Sequence, residues 1–245
     1  MDDLFINTFY EEAKNLNFNV KGLITQDNEI ISLGSDSKLI GRIFELLSKE
    51  ILNKICEKFN YRLEETESQT VYPDFTIHIP DGKKIAVDIK TTYRRYTSDG
   101  RVSKYGFTLG SYASFLRNNT KNIAYPYSEY TKHYVIGFIY DRNELSEPGK
   151  KYKIDSTNIE LPYKNTEFFI QEKYKIAGEK PGSGNTENIG SVLANNIKVF
   201  KEGLGPFAIF GNNIFEDYWR GYPKYRATIK AYTTLQEYLG SRKDK

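Results

Sequence analysis

The sequence predicts a mixed α/β (α+β) protein, and three stretches carry that reading. Residues 38–59, KLIGRIFELLSKEILNKICEKF, repeat Leu39, Ile40, Ile43, Leu47, Ile51 and Ile55 at helical spacing. Residues 74–90, DFTIHIPDGKKIAVDIK, alternate apolar and polar side chains on both sides of a turn, as a half-buried hairpin does. Residues 133–140, HYVIGFIY, are apolar, aromatic and β-branched, which suits a buried strand.

The remaining elements follow along the chain. Residues 20–32 alternate loosely around a turn at Gln26–Asn28 and predict a small hairpin. Ser35, Asp36 and Ser37 are N-cap candidates for the long helix. In the central hairpin, Pro80-Asp81-Gly82 supplies the turn. Long exposed loops are expected around 94–106 and 141–152, and another strand over 166–176. Segment 177–190 is glycine-rich and reads as a loop. The aromatic, basic tail from Phe215 onward is expected to be mostly helical.

Bulk composition bounds the function. With 245 residues the chain suits one large domain or two small ones and can bury a sizeable core. Hydrophobic residues make up 39% and charged residues 27%, as in an ordinary globular protein. No apolar run approaches the roughly 20 residues of a membrane span, and the acidic start MDDLFINTFYEE lacks a signal-peptide pattern. Cys56 is the single cysteine, so no internal disulfide can form, which agrees with a cytoplasmic location. With only His78 and His133 as imidazoles and no Cys/His cluster, zinc chemistry and a serine–histidine triad are poor fits. The net charge of +3 is mild, but its distribution is uneven. From Lys90 to Lys132, eight Lys/Arg face only Asp99 and Glu129. Such a segment suits a phosphate backbone, and equally a solvated loop face.

The central hairpin has a chemical consequence. Residues two apart share a face of a strand. Phe75, Ile77 and Ile79 therefore oppose Asp74, Thr76 and His78, while Ile85, Val87 and Ile89 oppose Ala86, Asp88 and Lys90. Placing both apolar sets on one side restricts the register. One permitted register sets Asp74 opposite Asp88, and the next sets Asp74 opposite Lys90. Both need a turn longer or more bulged than Asp81-Gly82. In either case two carboxylates and an amine converge on one polar face. Carboxylates held together repel, and a hard divalent cation such as Mg²⁺ removes that penalty. A neighbouring lysine can then orient water or steady charge on a phosphate. Asp74, Asp88 and Lys90 thus suit metal-assisted phosphodiester hydrolysis. A surface Asp–Lys pair on a polar sheet face would give the same pattern.

Pro73-Asp74 followed by Asp88-Ile89-Lys90 resembles the PD-(D/E)XK nuclease signature. Over most of its length the chain is similar to the EcoRV family of type II restriction endonucleases. The matching stretches are LGSDSKL (33–39), IFELLS (43–48), YPDFT (72–76), IAVDIKTTY (85–93), FTLGSYASFLRNNTKNIAYP (107–126), AGEKPGSGNTENIGS (177–191) and DYWR (217–220). The resemblance implies a single nuclease domain over 1–245, with a mixed central sheet flanked by helices and a small dimerisation sheet from 19–32 plus 148–160. It implies a homodimer gripping double-stranded DNA in a U-shaped cleft. Asp74 and Asp88 would bind Mg²⁺, with Mn²⁺ able to substitute, and Lys90 would be the catalytic lysine. Glu45 matches an auxiliary acidic, metal-side residue, although Arg42 and Lys49 offer it an ordinary helical ion-pair row.

The resemblance also implies a recognition loop over 180–190. In it Gly182, Ser183, Gly184, Asn185 and Thr186 would approach base edges; a flexible linker is the alternative. Glycines permit close backbone approach, an Asn amide suits adenine and a Thr methyl suits thymine. If the loop is kept, the implied target is GATATC, cut at its centre to blunt ends with 5′-phosphates. Thr91, Thr92, Ser114, Asn119 and Lys121 match DNA-proximal positions, and Gln69 matches a minor-groove loop. Thr66–Thr70, the longer loop at 94–106, segment 141–165 and the chain beyond Tyr222 depart from the family pattern. A cognate DNA methyltransferase would be the functional counterpart. Two other functions fit parts of the sequence: a sequence-specific DNA-binding protein lacking useful nuclease activity, and a nuclease of the same scaffold with a different target.

Overall fold

The computed structural model describes residues 3–68, 70–182, 187–224, 227 and 230–243. The elements are α1 (Leu4–Ala13), β1 (Leu23–Ile24), β2 (Glu29–Ile31), α2 (Ser37–Phe59), β3 (Arg62–Glu65), β4 (Phe75–His78), β5 (Lys84–Tyr93) and β6 (Thr108–Ser111). They continue with β7 (Tyr130–Arg142), β8 (Lys151–Lys153), β9 (Tyr163–Glu172), α3 (Lys173–Ile176), β10 (Ala177–Pro181), β11 (Asn188–Ser191), α4 (Lys198–Lys201), α5 (Asn212–Gly221) and α6 (Leu235–Lys243). The mixed α+β class expected from the sequence is what forms.

The long helix starts where expected. Asp36 is its N-cap, and its Oδ1 accepts from the backbone N–H groups of Lys38 at 2.9 Å and Leu39 at 3.0 Å. Those donors have no partner inside the helix. Asn60 closes the other end in the left-handed region, with φ at 54°. The buried stripe is Ile40, Phe44, Ser48, Ile51, Leu52, Ile55 and Cys56. It is rotated from the stripe read in the sequence: Leu39 is exposed, Ile43 and Leu47 are half-buried, and Phe44 takes the central place. Phe44 decides the rotation by stacking on Phe138 of β7, with ring centroids 4.3 Å apart and planes within 4°.

The central sheet runs β3-β4-β5-β7-β9. β3, β4 and β5 are antiparallel neighbours, β5 and β7 pair in parallel, and β9 returns antiparallel to β7. A parallel pair needs a long crossover. Residues 94–129 supply it, and they contain most of the basic segment. One face of the sheet packs on α1 and α2, through Phe5, Phe9, Ile40, Phe44, Val87, Ile89, Ile136 and Ile170. The other face packs on the crossover and the C-terminal third, through Ala86, Val135, Phe169, Leu109, Phe200 and Trp219. Opposite sides of β5 therefore enter different cores, as its period-two alternation requires.

The hairpin register is one of the two that the alternation permits. Phe75 pairs with Val87, Thr76 with Ala86, Ile77 with Ile85 and His78 with Lys84. The turn is longer than Asp81-Gly82, because Ile79 donates to Lys83 O at 3.1 Å and Gly82 to Ile79 O at 3.0 Å. Gly137 of β7 makes room for the facing ring of Phe169 on β9. A Cβ there would collide with that ring. Gly137→Ala is expected to cost about 1–3 kcal/mol through overpacking, and Tm should fall by several degrees. An unchanged Tm would show that Phe169 has somewhere else to go.

Two smaller sheets complete the fold: β1-β2-β8 and β10-β11-β6. The first confirms the small hairpin with its turn at residues 25–28. The second corrects the reading of 177–190 as a loop. Its described residues form strands on both sides of positions 183–186. Gly178, Gly182 and Gly190 serve close strand approach instead. A Cβ on Gly190 would stand 2.8 Å from Lys180 O. The strand expected over 166–176 starts earlier, at Tyr163, and gives way to the helical turn α3. Among the described residues of the tail, α5 and α6 are helical and the segment between them is not. No helix among the described residues is long and apolar enough to cross a membrane.

Candidate active site

Asp74 lies immediately before β4, and Asp88 and Lys90 lie on β5. Continuing the pairing of Phe75 with Val87 by one step brings Asp74 across from Asp88. All three side chains line a cleft of about 210 Å³. Its opposite wall comes from the crossover: Ser111, Ser114 and Phe115 stand there, with Asn188 of β11 beside them. The crossover required by the parallel pair thus folds over the polar side of β5 and closes the site.

The electrostatics are those of crowded carboxylates. Asp74 Oδ2 accepts from the backbone N–H of Ile89 at 2.6 Å. Burial and the charge of Asp88 push the Asp74 carboxyl up to about 7, against the pull of Lys90 and of that N–H. Asp88 is 3% exposed. Lys90 Nζ stands 2.8 Å from Asp88 Oδ2. The two form an ion pair. Burial opposes the charge on Lys90, but Asp88, Asp74 and Glu45 outweigh it and hold the amine's pKa above its ordinary value. Two crowded carboxylates, one of them deeply buried, fit a hard divalent cation. Asp74 and Asp88 are the residues that could hold it.

Glu45 does not join them. Among the described residues no three acidic, histidine or cysteine side chains gather closely enough to hold a metal ion. Glu45 Oε2 accepts from Arg42 at 2.8 Å, and Arg42 also reaches Glu65 at 2.9 Å. Lys49 pairs with Glu65 at 2.7 Å rather than with Glu45. The ion-pair row on α2 therefore exists, extended onto β3. The charge of Glu45 is nevertheless felt at Asp74 and Lys90.

The structure separates the other expected DNA-side residues. Ser114 lines the hydrolytic cleft. Thr92 and Gly182 line a second, larger cleft of about 890 Å³, between the crossover loop and the paired strands β10 and β11, together with Arg95, Lys104 and Lys180. Thr91 points to the opposite side of β5, toward Gly41 of α2. Asn119 adopts φ 58°, and its Oδ1 accepts from Ser128 N at 2.9 Å. Lys121 is exposed. Gln69, Ser183, Gly184, Asn185 and Thr186 lie outside the described residues.

The basic run is less uniform than its sequence suggests. Arg94 is held by Asp141, Glu167 and the carbonyl of Asn165, and Lys132 by Asp3. Arg117 donates to the carbonyls of Arg220 and Tyr222. Arg95 and Lys104 are left facing the larger cleft. Sequence reasoning missed Tyr72, Ser111, Asn122 and Asn188 as lining residues. No periodicity or spacing marks Ser111, Asn122 and Asn188, because the crossover and β11 bring them in from distant positions; Tyr72 stands only two residues before Asp74.

A mixed sheet carrying two carboxylates and a lysine on one strand pair, flanked by helices, is the architecture of the type II restriction endonucleases, which are site-specific deoxyribonucleases. The model of the family described as "Restriction endonuclease EcoRV" matches residues 14–243. The type II restriction enzyme EcoRV of Escherichia coli is 47% identical over 223 residues, covering 89% of this chain and 87% of that enzyme. The chain belongs to the EcoRV restriction endonuclease family. That membership makes it a nuclease rather than a DNA-binding protein without cleavage.

Proposed function

We propose that the chain is a Mg²⁺-dependent endonuclease that acts as a homodimer on double-stranded DNA and cuts GATATC at its centre, leaving blunt 5′-phosphate ends. The observation that carries this reading is the convergence of Asp74, Asp88 and Lys90 in one cleft. Asp74 and Asp88 would hold Mg²⁺, with Mn²⁺ able to replace it. The ion, when bound, neutralises charge on the phosphate and lowers the pKa of water. The N–H of Ile89 fixes the orientation of the Asp74 carboxylate. The ammonium of Lys90 orients the attacking water and steadies the developing negative charge. Water attacks phosphorus in line and gives up a proton to solvent, the bond to the 3′ oxygen breaks, and that oxygen takes up a proton from solvent and leaves as a hydroxyl.

Glu45 is assigned an auxiliary role from α2, through the charge it places near Asp74 and Lys90. Gly182, Ser183, Gly184, Asn185 and Thr186 are assigned to base reading, and Gln69 to the minor groove. Thr91, Thr92, Ser114, Asn119 and Lys121 are assigned to the DNA backbone. Support is best for Ser114 and Thr92, which face clefts. The pyrimidine–purine step at the centre of the target is easily kinked, so deformation would help select it. Exposed Leu23, Ile24 and Ile154 on or beside the β1-β2-β8 sheet support a dimer contact there. A nuclease of this kind works in the cytoplasm, beside a methyltransferase that protects the host's own sites.

Digestion of a mixed-sequence plasmid with Mg²⁺, followed by sequencing of the ends, tests this. Blunt ends within GATATC and 5′-phosphates are expected, with no cutting in EDTA. Staggered ends or another motif would overturn the target assignment while leaving the family intact.

A further inference from the structure

Lys173 is the most deeply buried lysine among the described residues, at 1% exposure, and it has no carboxylate within ion-pair distance among them. It begins α3, directly after β9. Its Nζ donates to the Tyr72 hydroxyl at 2.6 Å and stands over the rings of Tyr72 and Phe115, 3.9 and 5.1 Å from their centroids. A buried cation with one hydrogen-bond acceptor and no counter-ion is costly to keep. Burial pushes its pKa down to about 7, and the charge of Asp88 opposes that fall. A hydrophobic residue would fill the space without that cost, so the amine serves something else.

The bond it makes leads to the hydrolytic cleft. The Tyr72 hydroxyl also stands 2.8 Å from His133 Nδ1. Burial holds His133 well below its ordinary pKa, so its ring is neutral. Lys173 thus donates to the Tyr72 hydroxyl, which is also hydrogen-bonded to His133. The Tyr72 ring stacks on Phe115 at 4.5 Å and lines the cleft with Asp74, Asp88 and Lys90. Its backbone is tied at both ends: Tyr72 N donates to Asn122 O at 3.0 Å, and Ala124 N donates to Tyr72 O at 2.8 Å. Asp74 follows two residues later.

We propose that Lys173 is a positioning residue of the hydrolytic site, which fixes Tyr72 and, through it, the segment that presents Asp74. The proposal rests on the reading that Asp74, Asp88 and Lys90 are the hydrolytic centre. Lys173 does not line the cleft, so it acts through Tyr72 and not on the phosphate. Its amine anchors the end of β9 to the strand approach on the far side of the site, across two intervening strands. A charge-assisted bond between rigid elements holds position better than packing alone.

Lys173→Met and Tyr72→Phe, alone and combined, test this in the full chain. The measurements are single-turnover cleavage of a plasmid that the wild type cuts, DNA affinity in Ca²⁺, and Tm. Lys173→Met is expected to cut roughly 10- to 100-fold more slowly, and Tyr72→Phe about tenfold more slowly. DNA affinity should stay within about threefold. Because both act through one bond, the double variant should be no slower than Lys173→Met. Additive losses, or affinity falling in parallel with rate, would overturn the proposal. Should Lys173→Met fail to fold, Tyr72→Phe decides alone: a wild-type rate refutes the linkage. Asp88→Asn separates the two levels. If it still cuts, the hydrolytic centre is misassigned; if it is inactive while Lys173→Met and Tyr72→Phe cut normally, only the positioning role fails.

Discussion

Asp88→Asn protein is expected to bind its DNA and to cut it at least about 10³-fold more slowly than the wild type. The carboxylate sits at 3% exposure between Asp74 and Lys90, with its Oδ2 2.8 Å from Lys90 Nζ. The substitution keeps shape and volume but removes the charge that would hold a divalent cation. It also replaces an acceptor oxygen by an amide that cannot bind a hard ion well. Glu45→Gln should lose less, because that carboxylate pairs with Arg42 and, among the described residues, stands outside any gathered metal set. Initial rates on supercoiled plasmid, measured across a Mg²⁺ series, check both. Wild-type rates in Asp88→Asn would remove the metal-site assignment. Equal losses in the two variants would move Glu45 into the first rank.

The second large effect is on stability, and it has the opposite sign. Without metal, the Asp74 carboxyl is pushed up to about 7 from 3.8, by burial first and by Asp88 next. A carboxyl whose folded pKa is raised stabilises the fold fully below its unfolded pKa. That contribution is lost as pH rises through the folded value. The metal-free wild type should therefore lose stability progressively between about pH 4 and pH 7. Asp74→Asn keeps an oxygen for the Ile89 N–H and carries no charge. In EDTA at pH 8 it is expected to be more stable than the wild type by on the order of 2–4 kcal/mol, with the difference vanishing near pH 4. Thermal melts across that pH range decide the matter. Parallel curves for the two proteins would show that Asp74 is not held in a repulsive, buried setting. A site that destabilises its own fold when empty is the expected signature of residues placed for chemistry.

The sequence stated this protein's local structure plainly, because local structure follows from nearest neighbours. Asp36 can cap only the helix that begins beside it, and it does. The alternation in 74–90 confines both apolar sets to one core, so Asp74, Asp88 and Lys90 had to share the other face. Even the longer turn was legible, since parity excluded a two-residue loop. What could not be read locally depended on partners far along the chain. Phe44 turned α2 because Phe138 lies opposite, and nothing within the helix records that ring. Gly178, Gly182 and Gly190 look the same in a loop and in paired strands, and the contacts of β11 with β10 and β6 chose the strands. The basic run reads as one patch, yet Asp141, Glu167 and Asp3 claim parts of it from other elements. Lys173 and Tyr72 are 101 residues apart and share no pattern. Spacing along a chain encodes which side of a strand or helix a residue takes; which distant surface meets that side is set by packing the whole core, and that is where the second wall of the site comes from.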